Sequence, residues 1–192
     1  MTEIILASGS KQRQAILATL GIPFQIQPAD IDEQVVPFKD QYDKAQAIAL
    51  AKAQAVVARC TTASIVIAAD TFCYLQGRIL EKPKSLREAE EMLRFQSGQE
   101  LEVLTGYAFL DTSNARQMLG CEVVQMRMRE LSEAEIKYYV ATEPVLTWSA
   151  AFSPAYDTGM ALIAHINGNF TAFSHGLPLD KVRTFLQQTT LF

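Results

Sequence analysis

The 192-residue chain is expected to fold as an α/β protein of the α+β kind, with a mixed sheet, and three observations carry that expectation. Short apolar runs at residues 4–7 and 65–69 are separated by segments of helical period. Residues 101–110 and 116–129 are two long strand-like stretches joined by the turn Asp111-Thr112-Ser113-Asn114. That antiparallel hairpin excludes an all-parallel doubly wound sheet. The composition is 49% hydrophobic and 20% charged, ordinary for a globular chain long enough to bury a core without staples.

The elements follow in order. Residues 4–7 read as a short buried strand, followed by a helix with Ile16, Leu17 and Leu20 on one side, Ser10 as its cap and Gly21 at its end. Residues 23–37 read as strand and loop, and the alanine-rich stretch 42–59 as a long helix. The run 65–69 is a strand expected to end on Asp70-Thr71, and residues 73–80 a hairpin turning at Gln76-Gly77. Ser85–Glu88 and Ser132–Glu135 have the spacing of capping boxes, each opening a helix. Beyond Pro144 the chain is irregular to Gly159, strands are expected at 160–166 and 170–173, and Gly176-Leu177-Pro178-Leu179 leads into a closing helix.

Composition bounds the function. Seventeen basic against 21 acidic residues give a net charge of −4, with no basic tail, which argues against nucleic acid as a partner. Cys60, Cys73 and Cys121 are scattered and odd in number, the pattern of free thiols in a reducing compartment. His165 and His175 lie far from any cysteine, so a zinc site is not expected. No stretch reaches the roughly 18 apolar residues of a membrane span, and a cytoplasmic protein is expected.

Chemistry can sit at a few places. In Ser8-Gly9-Ser10-Lys11-Gln12-Arg13 a strand feeds a helix through small residues, leaving amide N–H groups, hydroxyls and cations that suit an anion; a plain capped turn is the competing reading. Asp70 can hold a metal ion or activate water, or merely accept from turn amides. Glu33 is the natural second carboxylate. Lys82, held extended by Pro83, and Lys52, between alanines on its helix, are point charges within reach of phosphate or ordinary surface lysines. His165 reads as a strand residue and His175 as a loop residue; Trp148 and Phe152 can stack a base but fit a core equally.

The order of these motifs resembles the Maf family of nucleoside triphosphate pyrophosphatases. The signature is LASGSxxR at the start, a DxDE cluster near residue 30, IAxxKAxA around Lys52, AADT, LEKP, MLRxxSG, TG and GLPL, and the resemblance spreads over residues 5–186. The resemblance implies a single domain over 1–192 with two lobes around a deep cleft, similar to the inosine-triphosphatase fold, and a homodimer. It implies hydrolysis of a nucleoside triphosphate to the monophosphate and pyrophosphate, with Mg²⁺ or Mn²⁺ as cofactor. Under it Ser8, Ser10 and Arg13 match the phosphate-binding turn, Asp70 the proton acceptor or metal ligand and Glu33 the metal-side acid. Lys52 and Lys82 match the catalytic lysines, and Gln12 and Thr71 stand where base preference varies.

The chain departs from the pattern at Lys11-Gln12-Arg13, where the family has proline and two arginines, and after Pro144, where an Asp-Lys pair is missing. Asp157 is the acid available as a stand-in from a displaced loop. Thr71 favours dTTP or UTP as substrate. The alternatives are a 7-methyl-GTP-type pyrophosphatase and a nucleotide-binding protein of the same fold with weak or lost catalysis.

Overall fold

The computed structural model describes residues 2–155 and 157–187. Strand β1 (Glu3–Leu6) leads through the Ser8–Ser10 turn into helix α1 (Lys11–Ala18), and β2 (Gln25–Ile26) returns parallel to β1. Helix α2 (Gln41–Val57) then carries the chain to β3 (Ser64–Leu75), parallel to β1 on its other side. Asp40 caps α2, accepting from the amides of Tyr42 and Asp43.

The remainder is antiparallel. Strand β4 (Arg78–Leu80) folds back on the end of β3, and α3 (Leu86–Gln96) follows. The long hairpin of β5 (Glu100–Asp111) and β6 (Arg116–Met128) pairs with β3 along its length. Helices α4 (Glu133–Thr142) and α5 (Asp157–Met160) precede the edge strand β7 (Ile163–Asn167); α6 (Phe170–His175) and α7 (Leu179–Gln187) close the chain. The strand order is β2-β1-β3-β5-β6-β7, with β4 beside β3, a seven-stranded mixed sheet as expected.

Both faces of the sheet are covered, which explains why residues 65–69 of β3 are apolar without a break. Ile65, Ile67 and Ala69 pack with Leu17, Phe109 and Phe185 on the face of α1 and α7. Val66 and Ala68 pack with Ala49, Ala53 and Val56 of α2 on the other. The small residues of α2 let the helix lie directly on the sheet. A Cβ at Gly106 of β5 would stand 1.9 Å from the carbonyl oxygen of Ala45. A further cluster, with Leu93, Met126, Met128, Ile136 and Trp148, fills the far half of the sheet under α3 and α4.

Several local expectations are corrected. Strand β3 does not end at Asp70; it continues to Leu75, because β5 offers ladder partners throughout, Gly106 opposite Asp70 and Thr105 opposite Thr71. Residues 170–173 are helical: Asn169 accepts from the Ala172 amide at one end, and Gly176, at φ 67°, terminates the other. A short apolar run is ambiguous between strand and helix, and the caps decide it. The preceding strand starts at Ile163, with Met160 in α5. The capping box at Ser132–Glu135 forms in full. At α3 the Glu88 carboxylate accepts instead from the amide of Lys84. His175 is the last residue of α6, not a loop residue.

Candidate active site

A cleft of about 1140 Å³ opens beside β3, and every site residue expected from sequence lines it: Ser8, Ser10, Gln12, Arg13, Glu33, Lys52, Asp70, Thr71 and Lys82. The pleat of β3 supplies the logic. Successive side chains alternate faces, so Asp70 points with Val66 and Ala68 towards α2, and Thr71 with Ile67 and Ala69 towards α1. Each finds a cation. Lys52 Nζ lies 2.7 Å from Asp70 Oδ1 and 2.7 Å from Glu33 Oε1. Arg13 Nη2 donates to Thr71 Oγ1 at 3.2 Å.

Lys52 is therefore no surface lysine. Its side chain is 14% exposed, as is that of Asp70, and it bridges two carboxylates from different segments. Each carboxylate bonds Lys52 through one oxygen, so Asp70 Oδ2 and Glu33 Oε2 can serve another partner.

The opening turn is more ordered than a bare anion cradle. Ser10 caps α1, and its hydroxyl donates to Gln12 Oε1 at 2.9 Å. Ser8 Oγ accepts from the Ser10 amide and from Arg13 Nη1, both at 3.2 Å, and keeps its own proton to donate. Arg13 spends its three nitrogens on protein acceptors: Ser8 Oγ, Thr71 Oγ1 and, through Nε at 2.9 Å, the carbonyl of Gly176. With five N–H groups on the fork, two remain for a ligand. Burial pushes the Arg13 guanidinium below its ordinary value, while the charges of Asp70 and Glu33 push it back up. It stays a cation in any case.

The lattice behind this turn was not foreseen. Thr71 Oγ1 meets Thr105 Oγ1 at 3.1 Å, and Thr105 Oγ1 donates to the Ala172 carbonyl. Ser149 donates to the carbonyl of Thr71. Beyond it Ala150 and Ala151 hold left-handed φ angles of 58° and 61°. They are pinned there by fully buried Gln96, whose amide donates to the Ala150 carbonyl, and by the Glu81 carbonyl, which accepts from the Ala150 amide. Such a conformation costs an alanine about 1–2 kcal/mol and persists only where neighbours enforce it.

Sequence reading also missed Lys44. It stands on the i, i+4, i+8 stripe of α2 with Ile48 and Lys52, and all three line the cleft. Its ammonium lies over the rings of Phe38 and Phe72 and 3.4 Å from Glu81, beside the exposed Lys82. The stripe was legible in the sequence; the aromatic neighbours from β3 and the loop were not. Trp148 and Phe152 are buried in the core and also line the cleft. Burial pushes the Cys73 thiol up to about 12, which removes it as a nucleophile. The missing Asp-Lys pair has no replacement among residues 145–155, and the side chain of Asp157 lies outside what the structure describes.

Two carboxylate oxygens fit a hard divalent cation, since Mg²⁺ is commonly held by one or two carboxylates with the rest of its shell from water and phosphate. Among the described residues no cluster of three or more His, Cys, Asp or Glu side chains offers an all-protein cage.

Known proteins resemble this chain along nearly its whole length. It is 38% identical over 186 residues, 97% of the chain and 94% of the relative, to a dTTP/UTP pyrophosphatase of Moorella thermoacetica. It is 37% identical to a nucleoside triphosphate pyrophosphatase of a Synechococcus strain, over 96% of the chain and 93% of the relative. A dTTP/UTP pyrophosphatase of Bacillus cytotoxicus is 35% identical over 98% and 96%. Among solved structures a HAM1 protein from Coxiella burnetii shares the fold, with a TM-score of 0.53 at 19% identity, covering 98% of this chain and all of that one. The profile of the Maf-like protein family matches residues 3–189, and with the relatives above it shows that the chain belongs to that family.

Proposed function

We propose that the protein hydrolyses a pyrimidine nucleoside triphosphate, dTTP or UTP by preference, to the monophosphate and pyrophosphate. The observation that carries the reading is the Lys52 bridge between Asp70 and Glu33 in the same cleft as the Ser8–Arg13 turn. Substrate preference follows the relatives' names and the threonine at position 71.

The chain's residues divide the work. Asp70 accepts the proton of the attacking water, and Lys52 holds that carboxylate in place from 2.7 Å. Ser8, with its free hydroxyl proton, and the two unspent N–H groups of Arg13 donate to phosphate oxygens. Lys82, exposed at the cleft mouth, and Lys44 offset charge on the departing pyrophosphate. Glu33 Oε2, joined by Asp70 Oδ2 where that carboxylate serves as metal ligand instead of base, would hold a divalent ion, which when bound supplies charge neutralisation at the phosphates.

Pyrophosphate release across a panel of nucleoside triphosphates, with Mg²⁺ or Mn²⁺, tests the reading. Asp70→Asn is expected to lower kcat by at least ~100-fold, the scale for losing a positioned base. Equal turnover in the variant removes Asp70 from the mechanism. The apolar character of residues 145–152, where Val145, Ala150 and Ala151 are fully buried, favours a second reading as a nucleotide-binding protein. That reading expects nucleotide affinity with no release from any triphosphate.

A further inference from the structure

Ser174 and His175, at the end of α6, line the cleft next to the Gly176 carbonyl that anchors Arg13. Their hydrogen bonds assign the protons. Ser174 Oγ lies 2.8 Å from the Phe170 carbonyl and 2.7 Å from His175 Nδ1. A carbonyl only accepts, so the single hydroxyl proton goes to Phe170. Oγ must then accept from His175, which places the ring proton on Nδ1. A neutral imidazole with its proton on Nδ1 carries a lone pair on Nε2. Burial pushes the His175 pKa below its ordinary value of 6.5, so the neutral ring prevails at neutral pH. Among the described residues nothing bonds to Nε2.

An acceptor in this cleft cannot serve the triphosphate, whose oxygens have no proton to give. Its partner must bring an N–H or an O–H. UTP and dTTP share the imide N3–H of their bases. Cytosine has an acceptor at N3. The 2′-hydroxyl is absent from dTTP, and the 3′-hydroxyl is common to all these nucleotides, so neither gives a preference for uracil and thymine over cytosine. We propose that His175 is a specificity-determining residue whose Nε2 accepts the imide N–H of uracil or thymine, with Ser174 fixing the tautomer. This rests on the assignment of a pyrimidine triphosphate as substrate.

The test compares UTP, CTP and N3-methyl-UTP, in which the imide proton is replaced by a methyl group. Wild type is expected to favour UTP over N3-methyl-UTP in kcat/KM by at least about tenfold, since a site built to bond an N–H rejects the analogue lacking it. His175→Phe should bring UTP down to the N3-methyl-UTP level while leaving CTP within about threefold of wild type. His175→Gln, whose amide oxygen accepts, should recover part of the gap, and circular dichroism melts establish that both variants fold. Calorimetric affinities for UMP and N3-methyl-UMP give a readout independent of turnover. Discrimination between the two monophosphates without pyrophosphate release supports the role of His175 and overturns catalysis. Turnover of UTP with no discrimination, discrimination that survives in His175→Phe, or a loss spread equally over all triphosphates overturns the role of His175. Neither turnover nor binding overturns both.

Discussion

Arg13 shows what a single side chain can be asked to do here. Its fork ties the start of α1 to β3 through Thr71 and to the α6–α7 turn through Gly176, and still leaves donors towards the cleft. Gly176 is the weak point of that arrangement. A Cβ there would stand 2.7 Å from Thr71 Oγ1 and 3.3 Å from Arg13 Nε, at a φ of 67° that side chains rarely adopt. Gly176→Ala is expected to cost about 1–2 kcal/mol of stability by urea unfolding, the usual penalty of the left-handed region. It should also raise KM for the triphosphate by displacing Arg13. An unchanged KM would show that the fork does not depend on this turn. The cations Arg13, Lys52 and Lys82 and the acids Glu33 and Asp70 were legible as residue types in a familiar order. Their partners were not, because Arg13 and Gly176 are 163 positions apart in sequence.

At the scale of elements, capping chemistry predicted boundaries well where it was local. Ser10, Ser85 and Ser132 each cap the expected helix. Helix α6 stands where the sequence predicts a strand because its apolar residues are too few to display a period, and Asn169 and Gly176 fix it instead. The cap of α4 makes a pH prediction. Hydrogen bonds from the Ser132 amide, the Arg129 guanidinium and the Ser132 hydroxyl, in that order, hold the Glu135 carboxyl down at about 2, against an ordinary 4.5. The stabilisation is complete above pH 4.5 and is lost as the pH falls through 4.5 towards 2. Glu135→Gln should therefore melt below wild type at pH 6, with the difference shrinking by pH 3; a constant difference across that range would exclude the charged cap as its source. Strand β3 is the other lesson. Its apolar run stops at Asp70, but pairing with β5 carries the strand on through the polar residues the site needs.

Across the whole molecule, the cleft gathers the β1–α1 turn, the Glu33 loop, α2, β3, the Glu81–Lys82 linker and the end of α6. Its acids are already neutralised in part by Lys52, which bears on how a metal enters. With one oxygen each on Asp70 and Glu33 unspent beside Lys52, Mg²⁺ is expected to bind weakly to the nucleotide-free protein and firmly with the triphosphate, whose oxygens complete its shell. Chelation by EDTA should abolish turnover while leaving the melting temperature of the nucleotide-free protein unchanged; a fall in that temperature would reveal a structural ion. The sequence by itself determined the mixed α/β class, the order of most elements and most, though not Lys44, of the charged residues around the site. These rest on local periodicity, caps and a linear order of motifs, which need no knowledge of distant neighbours. Only the tertiary structure decided that Lys52 bridges two acids, that Arg13 clasps Ser8, Thr71 and Gly176, and that His175 lines the cleft with Nδ1 held by Ser174. Each of those depends on a hydrogen-bond partner, and the partner's atoms assign the proton and the charge that the residue's name leaves open.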